Sequence, residues 1–201
     1  MRLSLTSAGA LALSLALTGC GGLLGGGKPP ANLVTLTPEA AEPSQLARTV
    51  TAGQTVTIET PVASRELGTV RVPVQVTPSD VQYVAKLQLA DTPPKLFATL
   101  VAETVRRTTN RVVLDAGQAN LDPGLLVTGQ LQRFGYDAAT GQVIVTYDGA
   151  LSTTGGTRVE TRRFTATAPA DGTGPSVGPA LNRAANQVAQ DVARWIGSSG
   201  G

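Results

Sequence analysis

One thiol and no imidazole set the side-chain chemistry open to this 201-residue chain, which contains a single Cys and no His. Without histidine, imidazole acid–base catalysis, Ser–His or Cys–His nucleophile pairs and Cys/His zinc sites are excluded. A lone cysteine also excludes an internal disulfide. What Cys20 can do is carry a lipid, and its setting asks for that. Leu17-Thr18-Gly19-Cys20 matches the bacterial lipobox: an aliphatic residue, two small ones, then the cysteine that becomes diacylated. Small residues are needed because the lipoprotein signal peptidase must admit the backbone beside the modified thiol. The only cysteine in the chain falls at the position where the pattern demands one.

The other chemical patterns are weaker. Gly22 to Lys28 fits G-x-x-x-x-G-K, but Pro29 follows where a phosphate-binding loop needs Ser or Thr. No strand precedes it, and Pro29-Pro30 removes amides that would open a phosphate-cradling helix. Asp80, Asp91 and Asp115 form no paired-carboxylate motif; each sits where a turn or a helix cap favours Asp. Arg133, Arg162 and Arg163 are candidate contacts for an acidic partner or phospholipid headgroups, although solvated strand faces are also Arg-rich. Tyr83, Leu87 and Leu89 are candidates for an apolar contact with a partner or lipid tail, or equally for buried sheet residues. No catalytic or metal site emerges, so a non-enzyme is expected, with no cofactor beyond the covalent lipid on Cys20.

The elements around Cys20 fit an exported, anchored protein. Arg2 precedes an apolar run from Ala8 to Leu17, about ten residues where a membrane-spanning helix takes about 20. Residues 1–19 therefore read as a signal peptide. Gly21, rather than Asp, follows the cysteine, which favours an outer-membrane location facing the periplasm. Residues 20–32 form a Gly/Pro-rich tether whose flexible part has an r.m.s. span of roughly 20 Å and a stretched limit of about 40 Å. Lys plus Arg 16 against Asp plus Glu 14 is too balanced for a nucleic-acid binder.

Hydrophobic residues at 41% and charged residues at 15% call for a folded domain, and aromatics at 3% require its core to be built from Val, Leu and Ala. Residues 33–197 supply it. Leu33–Leu36, Val56–Ile58, Val70–Val76 and Val84–Leu89 read as strands, with Pro73 at an edge or bulge. Asp91-Thr92-Pro93 caps a helix over Lys95–Thr108, whose stripe is Leu96, Phe97, Leu100, Val101 and Val105. Arg111–Asp115 returns as a strand, a right-handed crossover if its partner is parallel. Leu125–Tyr136, Gln142–Leu151 and Thr157–Ala166 form a meander with Gly-containing turns at Asp137–Gly141 and Ser152–Gly156. After a loop over Ala168–Pro175, a second helix over Val177–Ile196 presents Leu181, Ala184, Val188, Val192 and Trp195, ends at Gly197, and leaves 198–201 as a disordered tail. The fold class is α+β: a mostly antiparallel sheet with two helices packed on one face.

This order of elements resembles the ABC-type transport auxiliary lipoprotein family, from about Leu33 to Trp195. The matching pieces are Val72–Val76, Val81–Asp91 leading into Pro94–Phe97, Leu100–Val105, Arg111–Asp115, Thr161–Phe164 and Ala180–Ala189. All are packing signatures rather than catalytic motifs. Relatives often carry Trp at the place of Leu89. The resemblance implies an accessory lipoprotein that docks on a periplasmic mammalian-cell-entry (MCE) type protein of a lipid transporter whose permease and ATPase are separate chains. Homo-oligomer formation stays open. So do two other roles: an independent periplasmic lipid carrier, and a pilot lipoprotein for another envelope complex. Because the tether separates anchor from domain, Cys20→Ala is expected to leave the domain folded by circular dichroism while moving it from the membrane to the soluble fraction.

Overall fold

The computed structural model describes residues 32–43, 49–115, 117–118, 122, 124–153 and 158–199. The leader, the lipobox residues Leu17, Thr18 and Gly19, Cys20, most of the tether and the tip of the Ser152–Gly156 turn lie outside them. In chain order the elements are β1 (Thr55–Ile58), β2 (Val62–Ala63), a 3-10 turn (Arg65–Leu67), β3 (Arg71–Thr77), β4 (Asp80–Gln88), α1 (Pro93–Thr108), β5 (Val112–Leu114), β6 (Leu125–Asp137), β7 (Gln142–Thr153), β8 (Val159–Pro169) and α2 (Gly174–Ser198). The eight strands form one mixed sheet in an α+β fold.

β6 organises that sheet. Its apolar residues alternate inward, and β7 pairs with it antiparallel over its whole length, from Leu125↔Thr153 to Asp137↔Gln142. One edge of β6 is thereby used up. β1, β2 and β3 queue along the other edge, all parallel to β6, with Val56 opposite Leu125, Val62 opposite Gln130 and Val74 opposite Tyr136. β5 extends β1 in parallel, β4 extends β3 antiparallel, and β8 extends β7 antiparallel. The long ladders are thus antiparallel, as the meander predicts, and the parallel pairings are short. At the β6–β7 turn Gly141 adopts φ +65°, and the Asp137 carboxylate accepts from the Ala139 and Thr140 amides.

Several local expectations change in the tertiary context. Leu33–Leu36 is not a strand but a single parallel bridge, Val34 to Leu89. β4 begins at Asp80, four residues before the expected start. Pro73 does sit at a register irregularity, between Arg71 and Pro73. The β4–α1–β5 connection is not a parallel crossover: β4 runs antiparallel to β3, whereas β5, β1 and β3 all share the direction of β6. Asp91 does not cap α1; the N-cap is Thr92, and Asp91 accepts the Thr92 amide at 2.7 Å.

α2 is longer than its periodicity indicates. It starts at Gly174 despite Pro179, because Thr173 accepts the Ser176 and Val177 amides while Asp171 holds Thr173 through both its amide and its hydroxyl. Gly197 does not end it, and Ser198 is helical rather than tail. The reason is Arg111, whose guanidinium donates to the Ile196 carbonyl at 3.2 Å and the Ser199 carbonyl at 2.6 Å. α2 has no basic residue in its own last turn, so this distant arginine supplies the cation its negative end favours.

Both helices pack on one face of the sheet. The expected stripe of α2 is buried, but so are Val177, Ala180, Ala185, Ala189, Ala193 and Ile196, since α1 covers its second side. Four aromatic rings tie the layers together: Phe97 of α1 against Tyr147 at 5.1 Å, Tyr147 against Phe164 at 6.4 Å, and Phe164 against Trp195 of α2 at 5.5 Å. Tyr147 lies across β6 and donates its hydroxyl to the Thr128 carbonyl at 2.8 Å; burial pushes its phenol pKa up. This placement needs glycine at the register pair Gly129↔Gly149. A Cβ on Gly129 would stand 2.3 Å from the Asp148 carbonyl oxygen and 2.6 Å from the Tyr147 ring. Gly129→Ala is therefore expected to lower unfolding free energy by about 2 kcal/mol through overpacking, read from the urea midpoint.

Candidate docking surface and tether clamp

The face of the sheet away from the helices is bare. Because Tyr147, Phe164 and Ala168 turn toward the helices, strand alternation sends Asp148, Thr161, Arg163, Thr165 and Thr167 outward. An open groove of about 800 Å³ runs over this face, lined by Glu59, Thr60, Val62, Thr128, Gln130, Asp148, Ala150, Thr161 and Arg163 among others. Its walls mix hydroxyls and amides with Val62, Ala150, the Arg163–Asp148 ion pair, Glu59 and Arg162, and the groove lies open along the sheet rather than enclosed.

The expected contact residues fare differently. Arg163 forms a two-pronged bond to Asp148, 2.6 Å from Nε to Oδ1 and 2.6 Å from Nη2 to Oδ2, and Gln132 adds a third bond at 3.0 Å. The guanidinium bonds hold the Asp148 carboxyl below its ordinary value. Arg133 bonds Asp137 at 2.7 Å and likewise lowers that carboxyl. Arg162 stands opposite Gly149, which has no side chain to meet it, and is exposed with no bonded partner among the described residues. The three arginines thus share the meander but do not converge; two are neutralised locally and Arg162 has no partner among the described residues.

Tyr83 is half-buried under the Arg71 guanidinium, which lies 4.1 Å from its ring centre. Leu87 and Leu89 offer no surface. They are core residues at 7% and 1% exposure, and Leu87 fits against Gly174 and Gly178 of α2, where a Cβ would approach it at 3.3 and 3.5 Å.

The structure reveals a second device that periodicity did not indicate, a polar clamp on the segment leaving the tether. Val34 donates to the Gln88 carbonyl at 2.9 Å and accepts from the Ala90 amide at 2.8 Å. Asn182 of α2 then accepts the Thr37 amide at 2.8 Å. Asn186, fully buried, accepts the Glu39 amide at 2.8 Å and donates to the Thr37 carbonyl at 2.9 Å. Arg107 of α1 closes the run on the Ala40 carbonyl at 2.9 Å. The signal in the sequence is two asparagines one helical turn apart, of which Asn186 falls beside the apolar stripe.

A family model described as ABC-type transport auxiliary lipoprotein component matches residues 35–193. Among solved structures, a protein of the DUF330 family from Xanthomonas campestris is similar with a TM-score of 0.64 at 19% identity, covering 84% of this chain and 92% of that one. An uncharacterized protein is similar with a TM-score of 0.61 at 13% identity, covering 75% and 96%. No curated protein matches the sequence.

Two outcomes test this geometry. Asn186→Ala strands the Thr37 carbonyl and the Glu39 amide and should cost about 1–3 kcal/mol, with faster amide exchange at Thr37 and Glu39 as the local readout. Asp148, with its depressed folded pKa, adds stability that is present above its unfolded pKa and lost as pH falls through the folded one. Arg163→Ala should therefore move the Asp148 carboxyl titration, followed by NMR, upward toward the ordinary carboxylate value.

Proposed function

The chain belongs to the family of ABC-type transport auxiliary lipoprotein components, and from that premise we propose that it serves as a non-catalytic, lipid-anchored subunit of an MCE-type lipid transport system. The observation that carries this reading is the family match across residues 35–193, immediately downstream of a lipobox at Cys20. In this role the acyl groups on Cys20 hold the domain on the periplasmic leaflet of the outer membrane, consistent with Gly21 after the cysteine. Two or three chains anchor stably, since each buried methylene contributes about 0.8 kcal/mol. The permease, the ATPase and the MCE protein are separate partners.

The bare sheet face and its β8 margin are the docking surface we assign to the MCE protein. β8 supplies eleven residues in unbroken register with β7, and its outer margin is unpaired among the described residues. The other margins are less open: β2 and β5 have two and three residues, and β4 is interrupted by a bulge. Arg162, a cation at this margin with no bonded partner among the described residues, adds attraction for an acidic partner. Tagged protein extracted from membranes in mild detergent is expected to bring down an MCE-type subunit in stoichiometric amount, and Arg162→Glu is expected to reduce the recovery several-fold. Recovery of the lipoprotein alone from such extracts would overturn the assignment.

A further inference from the structure

We propose that the corner where the tether meets the domain, formed by Leu33, the Arg71–Tyr83 pair and Lys86, rests directly on the lipid surface that holds the anchor, its cations meeting phosphate-bearing headgroups. The inference rests on Cys20 being the lipid anchor and adds an orientation to it.

The clamp is the first ground. A flexible tether by itself leaves a domain free to tumble, but the chain here is fixed from Val34 onward by the bonds of Val34 to Gln88 and Ala90, of Thr37 and Glu39 to Asn182 and Asn186, and of Ala40 to Arg107. The fixed chain therefore begins beside Leu33, with twelve residues of Gly/Pro-rich sequence between it and Cys20, a length that as coil would span roughly 20 Å on average. Whatever surrounds Leu33 is held nearest the leaflet.

The side chains there form the second ground. Leu33 is 54% exposed although apolar. Arg71 stands opposite Gln88, the residue whose carbonyl holds Val34, and its guanidinium covers Tyr83. Between Tyr83 and Gln88 the β4 chain takes five steps while β3 takes two, from Pro73 to Arg71, so the surplus bulges out. Lys86 sits in that bulge, exposed, at φ +58°, with no bonded partner among the described residues. The acidic groups nearby are already engaged: Asp91 with Lys95 and the Thr92 amide, and Asp171 with Thr173. An exposed aliphatic chain, a tyrosine and two uncompensated cations in one place match a headgroup layer, where apolar stems bury and charged ends stay with phosphate.

The test uses the full lipidated protein in vesicles of phosphatidylethanolamine and phosphatidylglycerol. Acylated Cys20 has no free thiol, so Lys86→Cys, Leu33→Cys and Val159→Cys each present one site for a fluorophore. Val159 is 63% exposed on β8, four strands away across the sheet, about 19 Å at the usual strand spacing. With nitroxide-headgroup lipids, quenching at positions 86 and 33 is expected to exceed that at 159 at least about twofold, and to weaken in phosphatidylcholine vesicles or at high salt. The Leu33 label keeps the result decisive should a cysteine disturb the bulge at Lys86. Equal quenching at all three positions in protein that floats with the vesicles overturns the orientation alone. Protein that fails to float overturns the anchor itself, and the orientation with it.

Discussion

The two edges of β6 set this sheet: four strands pair with it directly, and the other three extend from those. A strand offers one row of amides and carbonyls on each side, and β7 occupies one of these rows completely. The segments on the N-terminal side of α1 have only the other row to share, which is why β1 and β2 are short and why β3 joins β6 only at Val74 and Gln75. The same crowding sets the pitch of the helix layer. Tyr147 must lie over Gly129 for its ring to reach Phe97 and Phe164, so the backbone pairing of two glycines determines where an aromatic column can stand between sheet and helices.

α2 is the second fixed body, and its ends are made by remote residues. Asp171 and Thr173 build its start, Arg111 satisfies its last carbonyls, and its middle carries Asn182 and Asn186 outward to the segment that follows the tether. Buried amides with all their bonds made are specific in a way that apolar contacts are not, because a slipped register leaves them unpaired. The segment from Val34 to Ala40 is thereby joined to the core at one defined place.

Charge on the surface follows a division of labour. Arg163 and Arg133 stiffen the meander through Asp148 and Asp137, and Glu160 receives both Arg158 and the Trp195 indole N–H. Such pairs contribute little net field. Among the described residues Lys86 and Arg71 near the tether and Arg162 on β8 have no carboxylate partner, and each is positioned by a local irregularity: a bulge, an aromatic platform, a glycine opposite.

The sequence by itself determined the three long strands of the meander, the inward stripes of both helices and the absence of any imidazole chemistry. These are local matters, written in residue type and in periods of two or 3.6. Tertiary structure alone decided which edge of β6 each early strand would take, that Leu87 and Leu89 would be core rather than surface, that α2 would run past Gly197, and that Asn182 would bond Thr37 across 145 residues. The physical reason is that hydrogen-bond pairing and burial between remote segments depend on which partner is nearby after folding, and a donor or apolar side chain looks the same in the sequence whether that partner is a neighbouring strand, a distant helix or water.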